Sequence, residues 1–288
     1  MNFRLLQRQI GLIRLPLFCI FLFIVSLLFF SCATLSGKYE RREDWAVYEV
    51  GQSARINETQ LENGCSYTKV EDFDFPVIFH LVTVPLKNVS KITCEPEKIY
   101  EDGFIKAQKT KKFSKRTDSY IAINATPYDK QRFPYGIYRE NKKLYSAPVE
   151  KYASVTFYAD ETAKIYFNQT DEVFDSNDNS ILTVGGFFPI IKDGKKYGKY
   201  IDNKDSRTAL GISKDRKTVY ILVVEGMDSQ KSRGLNYSQA SDILLSYGVW
   251  EALMFDGGDS TALCINKKNV LSYSFQRKVP VSLGFCIK

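Results

Sequence analysis

The chain is almost devoid of histidine: His80 is the single histidine among 288 residues. That scarcity argues against a Ser-His-Asp type catalytic triad and against a histidine-rich zinc site. His80 lies within the apolar run from Val77 to Val82, so we interpret it as a packed strand residue. Internal repeats and low-complexity tracts are absent as well, which excludes solenoids and leaves an ordinary globular chain.

The chain also has no strong net charge. The formal charge is +7, and it falls to +4 without the three arginines before residue 15. A basic cluster between Lys106 and Arg116 precedes a predicted strand, and we interpret it mainly as the solvated face of a helix, with binding of anionic polymers or lipid headgroups as the alternative. The composition therefore gives no support for a nucleic-acid partner.

The amino terminus has the pattern of an export signal. Three arginines precede an apolar run from Leu15 to Phe30, which is short for a membrane span. Ser31-Cys32, with Leu28 four positions before the cysteine, is similar to a relaxed bacterial lipobox. We predict a lipoprotein-type signal peptide over residues 1–31 and lipidation of Cys32; an uncleaved anchor helix is the alternative. Residues 32–75 would be a tether and peripheral segment, residues 76–288 the folded domain, and the location the extracytoplasmic, membrane-anchored side of a bacterial cell envelope.

Four further cysteines lie outside the signal: Cys65, Cys94, Cys264 and Cys286. Outside the cytoplasm they can form up to two disulfides. Pairing of Cys65 with Cys94 and of Cys264 with Cys286 is the predicted arrangement, because the latter two lie on apolar segments that would be neighbouring strands. Buried free thiols are nearly as well supported.

The fold class predicted by the pattern is α+β, a single domain built on a large mixed β-sheet with a few packed helices. One helix begins at Asn236, which with Gln239 has capping-box spacing, and Gly248 would end it. Short apolar, β-rich runs predict strands over residues 77–84, 119–124, 153–158, 163–167, 181–184, 207–212, 218–224, 251–255, 261–266 and 279–286.

The most informative segment is residues 250–261, where an apolar strand ends in Asp256-Gly257-Gly258-Asp259-Ser260-Thr261. Carboxylates and hydroxyls on a glycine turn at the end of a rigid strand are typical of a binding site. Strand 218–224, the helix and strand 251–255 predict a βαβ unit that would place Glu225 and Asp256 at one sheet edge. Arg207 opens a short strand nearby, where its planar fork would suit an anion.

These motifs, in order, resemble the phosphodiester glycosidase family. The similar segments are Ile121–Asn124, Gly185–Pro189, Arg207–Gly211, Val224–Gly226, Phe255–Thr261 and Arg277–Pro280. The chain departs from the family pattern where Ala125-Thr126 replaces Gly-Gly, where Glu225 replaces an aspartate, and where Asp259 replaces a glycine.

The resemblance implies hydrolysis of a sugar-1-phosphodiester, with a phosphate-linked glycan as substrate. It implies catalytic roles for Asp256, Glu225, Arg207 and Arg277. Substrate contacts would come from Asn124, Gly257, Gly258, Asp259, Ser260 and Thr261.

No cofactor is required by this chemistry, although Asp256 and Asp259 offer carboxylates for a divalent metal. The competing hypothesis is a non-catalytic surface lipoprotein that binds a glycan or partner. A further enzymatic alternative is the trimming of sugars from the cell's own envelope polymers.

Overall fold

The computed structural model describes residues 47–101, 103–170, 179–198 and 203–288, which fall within one compact unit, Ala46–Lys288. The predictions for the signal peptide and Cys32 lie outside these residues. Within the described ranges, no helix is both long and apolar enough to cross a membrane.

The described residues contain two α-helices, α1 (Thr110–Thr117) and α2 (Tyr237–Ser246). Helix α1 ends at Asp118, whose φ of 59° places it in the left-handed region. At the start of α2, the Asn236 side chain accepts from the Gln239 N–H while the Gln239 side chain accepts from the Asn236 N–H. The predicted capping box is therefore confirmed, and Gly248, with φ of +78°, follows the helix as predicted.

Within the same described residues, eighteen strands form three sheets. The first sheet has, in spatial order, β1 (Arg55–Gln60), β2 (Ser66–Asp72), β3 (Val77–Pro85), β14 (Thr218–Val224), β13 (Arg207–Ile212), β15 (Glu251–Met254), β11 (Pro189–Lys192) and β12 (Lys195–Lys196). The second has β7 (Lys143–Ser146), β6 (Tyr138–Glu140), β10 (Ser180–Gly185), β8 (Ser154–Tyr158) and β9 (Ala163–Tyr166). The third has β17 (Lys268–Asn269), β16 (Leu263–Ile265), β5 (Ile121–Asn124), β18 (Ser282–Ile287) and β4 (Val89–Thr93).

The α+β class and all ten predicted strands are confirmed, with small shifts at their ends. The arrangement differs from one large mixed sheet, because the strands divide among three sheets and each ladder between these named strands is antiparallel. Residues 55–72 also differ from the expected peripheral segment, since they form β1 and β2 of the first sheet. Strand β1 is exposed along its whole length, so its sequence lacks the apolar alternation that marks a strand.

The two strands of the predicted βαβ unit are not neighbours in the sheet. Strands β14 and β15 run in the same direction and are connected through α2, but β13 lies between them and is antiparallel to both. The carboxyl ends of β14 and β15 and the amino end of β13 consequently share one edge of the sheet. Glu225, Arg207 and Asp256 follow one another along this edge, so Glu225 and Asp256 share it as predicted, with Arg207 between them.

Two apolar cores lie on the two faces of the first sheet. One core contains Leu210, Ile221 and Leu253 and joins this sheet to the other two. The other contains Leu222 and Met254 and joins the sheet to α2. Because strand side chains alternate between faces, the position of a residue in its strand decides which core it faces.

All four described cysteines are free thiols, so the predicted disulfides do not form. Cys264 on β16 and Cys286 on β18 lie on strands that both pair with β5, which separates them. Cys65 and Cys94 are buried in the first core as small apolar residues.

Candidate functional site

The Asp-Gly-Gly turn is anchored tightly beyond the end of β15. The Asp256 N–H donates to Ala125 O at 3.0 Å, and the Gly257 N–H donates to the Asp256 carboxylate at 3.1 Å. Gly258 has φ of +57°, and a Cβ on Gly257 would lie 2.6 Å from Ser206 O. Both glycines are therefore required by the backbone, as the sequence predicts.

Asn124 holds this turn from behind. Its side-chain Nδ2 donates to Asp256 O at 2.6 Å, and its Oδ1 accepts from the Thr208 hydroxyl at 2.7 Å and the Ala262 N–H at 3.0 Å. The side chain is fully buried, so its amide supports both ends of the 256–262 segment. A direct substrate contact was predicted for Asn124; the structure places its side chain in the scaffold behind the site.

Burial gives the Asp256 carboxyl group an unusual proton affinity. The pKa of Asp256 is raised from 3.8 to about 6, first because burial penalises the charged form. Hydrogen bonds from Ser260 and the Gly257 N–H, together with the charge of Arg277, oppose this rise only in part. The Ser260 hydroxyl also lies 3.0 Å from the Tyr128 hydroxyl. Burial thus brings the pKa of Asp256 closer to neutral pH than that of an exposed aspartate, which is the direction that favours acid–base chemistry.

Asp256 faces a cavity of about 330 Å³. The lining residues are Tyr128, Asp129, Lys130, Arg132, Asp256, Gly257, Ser260 and Arg277. Three cationic side chains, Lys130, Arg132 and Arg277, thus line the cavity together with the carboxylates of Asp129 and Asp256, and Arg277 lies 3.6 Å from the Asp259 carboxylate. The guanidinium and ammonium groups are the donors that suit a phosphate group.

Of the predicted site residues, the structure brings Asp256, Gly257, Ser260 and Arg277 together at the cavity. Thr261 is buried behind the turn. Tyr128, Lys130 and Arg132 were not among the predicted site residues; they lie on the loop between β5 and β6. That loop has neither periodicity nor a motif, so only the three-dimensional fold identifies these residues.

Arg207 is buried against the start of α2. Its Nε donates to Leu235 O at 2.9 Å, its Nη2 donates to the Asn203 side chain at 3.1 Å, and the guanidinium lies 4.9 Å above the Tyr237 ring. Burial lowers the pKa of Arg207. The guanidinium does not line the cavity, so Arg207 supports the loop before β13 and the first turn of α2.

Glu225 lies on the opposite face of the sheet from Arg207. The carboxylate accepts from His80 Nε2 at 2.7 Å and from the N–H of Ser272 at 2.8 Å, and it also binds the Ser272 hydroxyl. Burial raises the pKa of Glu225, but the hydrogen bonds from His80 and Ser272 outweigh it and leave the pKa below its usual value. Glu225 is 2% exposed and is separated from the cavity, because the strand alternation points it into the other core.

His80 completes this buried network. Its Nδ1 lies 2.8 Å from the Tyr67 hydroxyl, so both ring nitrogens have partners. The prediction of a packed strand residue is confirmed. Elsewhere, among the residues whose structure is described, no three His, Cys, Asp or Glu side chains converge as a metal site.

Comparison with known proteins places this site in a family. The sequence profile described as phosphodiester glycosidase matches residues 117–286, which include the Asn124 strand, the Asp-Gly-Gly turn and Arg277. No curated protein is significantly similar to the chain in sequence.

Two solved structures share the fold. The zebrafish N-acetylglucosamine-1-phosphodiester alpha-N-acetylglucosaminidase catalytic domain, auto-inhibited by its pro-peptide, has a TM-score of 0.62 at 18% identity, over 82% of each chain. A hypothetical protein from Synechocystis has a TM-score of 0.59 at 10% identity, over 81% of this chain and 64% of its own. Since the family profile spans more than half of the sequence, the chain belongs to the phosphodiester glycosidase family.

Proposed function

We propose that the protein hydrolyses the glycosidic bond of a sugar-1-phosphodiester. The observation that supports this most strongly is that Asp256, whose pKa burial raises to about 6, lines the same cavity as Lys130, Arg132 and Arg277. Hydrolysis of a glycosyl phosphodiester requires both features: a carboxylate near the anomeric carbon that is attacked, and cations near the phosphate that is released.

In this reaction the bond between the anomeric carbon and the phosphate oxygen breaks with both electrons passing to the oxygen. The leaving phosphate monoester needs neutralisation of its charge more than protonation, which the cationic side chains supply. Asp256 takes the proton of the attacking water as general base, and the water oxygen forms the new bond to the anomeric carbon. The Ser260 hydroxyl bonds the carboxylate, and the Tyr128 hydroxyl in turn lies 3.0 Å from that of Ser260.

Turnover is tested with the full chain in detergent and UDP-N-acetylglucosamine and UDP-glucose as sugar-1-phosphodiesters, with and without chelator. We expect release of free sugar, with kcat lower by about 10²- to 10⁴-fold in Asp256→Asn. Arg277→Ala should raise KM and lower kcat, whereas Arg55→Ala, on the exposed outer strand β1, should change neither. Full activity in Asp256→Asn would refute the assignment, and loss of activity with chelator would assign a metal.

The second candidate is a non-catalytic protein that binds a glycan on the same fold. It is favoured by Ala125-Thr126 in place of two family glycines and by the Asp259 carboxylate, which lies beside Arg277 and offsets part of its charge. Asp259→Gly restores the family residue and discriminates the two functions. An enzyme should gain phosphate affinity and keep turnover, while a binding protein should show no turnover in either form.

We also propose that the protein is anchored to a bacterial envelope through lipidated Cys32. The support is the sequence alone, in which Ser31-Cys32 follows an apolar run that is preceded by three arginines. Metabolic labelling with a fatty acid should modify the wild-type chain and should fail in Cys32→Ser. Labelling that persists in Cys32→Ser would reject the anchor.

A further inference from the structure

Four aromatic rings pack edge to face into one surface, which we call the aromatic wall. Tyr152 is at its centre, with ring centroids 5.6 Å from Tyr135, 5.2 Å from Phe187 and 5.4 Å from Phe188. Tyr152 is buried, but Tyr135 is 45% exposed and both phenylalanines are partly exposed. The wall therefore presents rigid apolar surface to solvent, and nothing in the chemistry of Asp256 uses it.

The aromatic wall is joined directly to the strand that carries the catalytic carboxylate. The Phe187 N–H donates to Met254 O at 2.6 Å, and the Met254 N–H donates to Phe188 O at 3.0 Å. Met254 ends β15 two residues before Asp256. A Cβ on Gly186 would lie 2.4 Å from Met254 O, so this contact between the wall and β15 tolerates no side chain.

The other end of the wall reaches the cavity loop. The Tyr135 N–H donates to Pro127 O at 2.6 Å, and the next residue, Tyr128, lines the cavity. Tyr237 lies near both regions: burial raises the pKa of its hydroxyl, the charge of Arg207 lowers it, and Asp256 and Tyr152 raise it. The wall is thus connected to the cavity through the backbone of the loop that carries Tyr128 and through the segment that ends in Asp256.

Gln169 fixes the shape of the wall. Its Oε1 accepts from the N–H groups of Ile137 and Val149, at 2.9 and 2.8 Å, and its Nε2 donates to Ala153 O at 2.9 Å. These three backbone positions flank Tyr135 and Tyr152. Because the fully buried Gln169 ties both segments together, the two rings are ordered before any ligand binds.

We propose that the aromatic wall binds the apolar face of the glycosyl ring, while the cationic cavity binds the phosphate. A pyranose presents C–H groups on its faces and hydroxyls at its rim, and rigid amphipathic tyrosines match that surface at little entropic cost. Placing the sugar ring at the wall rests on the proposed function. In a sugar-1-phosphodiester the bond that breaks joins the ring to the phosphate, so the site must offer an apolar region for the ring next to a cationic region for the phosphate.

The wall is tested by binding, independently of turnover. Saturation-transfer NMR of the full chain in detergent would use methyl α-glucoside, methyl α-mannoside and methyl α-N-acetylglucosaminide, and calorimetry would use inorganic phosphate. In Tyr135→Ala we expect glycoside affinity to fall roughly tenfold with phosphate affinity unchanged. Tyr135→Phe should retain the affinity. The matched control is Tyr247→Ala, an exposed tyrosine at the opposite end of the helix that begins with Tyr237.

Three results would overturn the proposal: no glycoside bound by the wild type, equal binding in Tyr135→Ala, or loss of phosphate binding in the same variant. The last would mean that wall and cavity are not separate subsites. Glycoside binding that depends on Tyr135 in a protein that hydrolyses no phosphodiester would support the wall and reject the hydrolysis.

Discussion

Replacing Asp256 by asparagine should lower kcat by the factor given above and at the same time stabilise the fold. Asparagine retains an oxygen for the Gly257 N–H, 3.1 Å from the carboxylate, but carries no charge. The raised pKa of Asp256 means that the folded state disfavours the ionised form. Ionisation of Asp256 therefore lowers the free energy of unfolding of the wild type. This loss is absent below the unfolded-state pKa of 3.8, grows between pH 4 and 6, and is complete above pH 6.

The magnitude follows from the shift of the pKa from 3.8 to about 6. Two pKa units correspond to about 3 kcal/mol of unfolding free energy, and contact of the carboxylate with solvent in the cavity reduces this upper limit. From pH 4 to pH 7.5, the stability advantage of Asp256→Asn over the wild type should therefore grow by about 1–2 kcal/mol. Urea denaturation at the two pH values measures it directly.

The control for this measurement is Asp215→Asn. Asp215 lies in the turn between β13 and β14, at the far edge of the sheet, and its pKa is lowered by hydrogen bonds from Ser213 and Lys217. Its side chain is solvated, so its replacement should give no comparable gain. A constant stability difference for Asp256→Asn across this pH range would refute the argument that burial raises the pKa of Asp256.

Other substitutions test the scaffold and the site. Wild-type kcat/KM should rise with pH through about 6 and then level, since Asp256 acts as a base; a fall with rising pH would assign it as an acid. Asn124→Ala leaves three buried partners unsatisfied and should cost about 3 kcal/mol in urea denaturation, whereas an unchanged midpoint would show that the amide does not hold the turn. Gly258→Ala, at φ of +57°, should cost about 1 kcal/mol, and an equally stable variant would contradict the strained turn. His80→Ala leaves the Glu225 carboxylate without its buried partner and should cost about 3 kcal/mol while KM stays unchanged; a raised KM would place the network in the site.

The sequence was most informative where a segment is buried and regular. Strands such as β13 and β14 are buried over most of their length and carry apolar runs, and the Asn236 capping box is a local feature, so both were predicted correctly. Strand β1 was missed because it is exposed on both faces, and β6 because it is only three residues long.

The site was harder to predict than the fold. The edge that carries Arg207, Glu225 and Asp256 follows from the chain order, but the sheet face to which each side chain points depends on single-residue register. Glu225 consequently faces His80 and not the cavity. Lys130 and Arg132 lie on the loop that connects the third sheet to the second, whereas Asp256 follows a strand of the first sheet. No local sequence pattern shows that this loop contacts the site.

The loop between β5 and β6 has a consequence for the diversity of substrates. It carries the cavity residues from Tyr128 to Arg132 and also Tyr135 of the aromatic wall, while Asn124 and Gln169 fix its two ends to the rest of the chain. Part of the proposed phosphate site and the most exposed ring of the proposed sugar site are therefore encoded in one short stretch of gene, whereas Asp256, Arg277 and the other three rings lie elsewhere in the chain. Exchange of that stretch between relatives would alter both proposed subsites and leave Asp256 in place, so under the proposed function specificity could change without a change at the carboxylate.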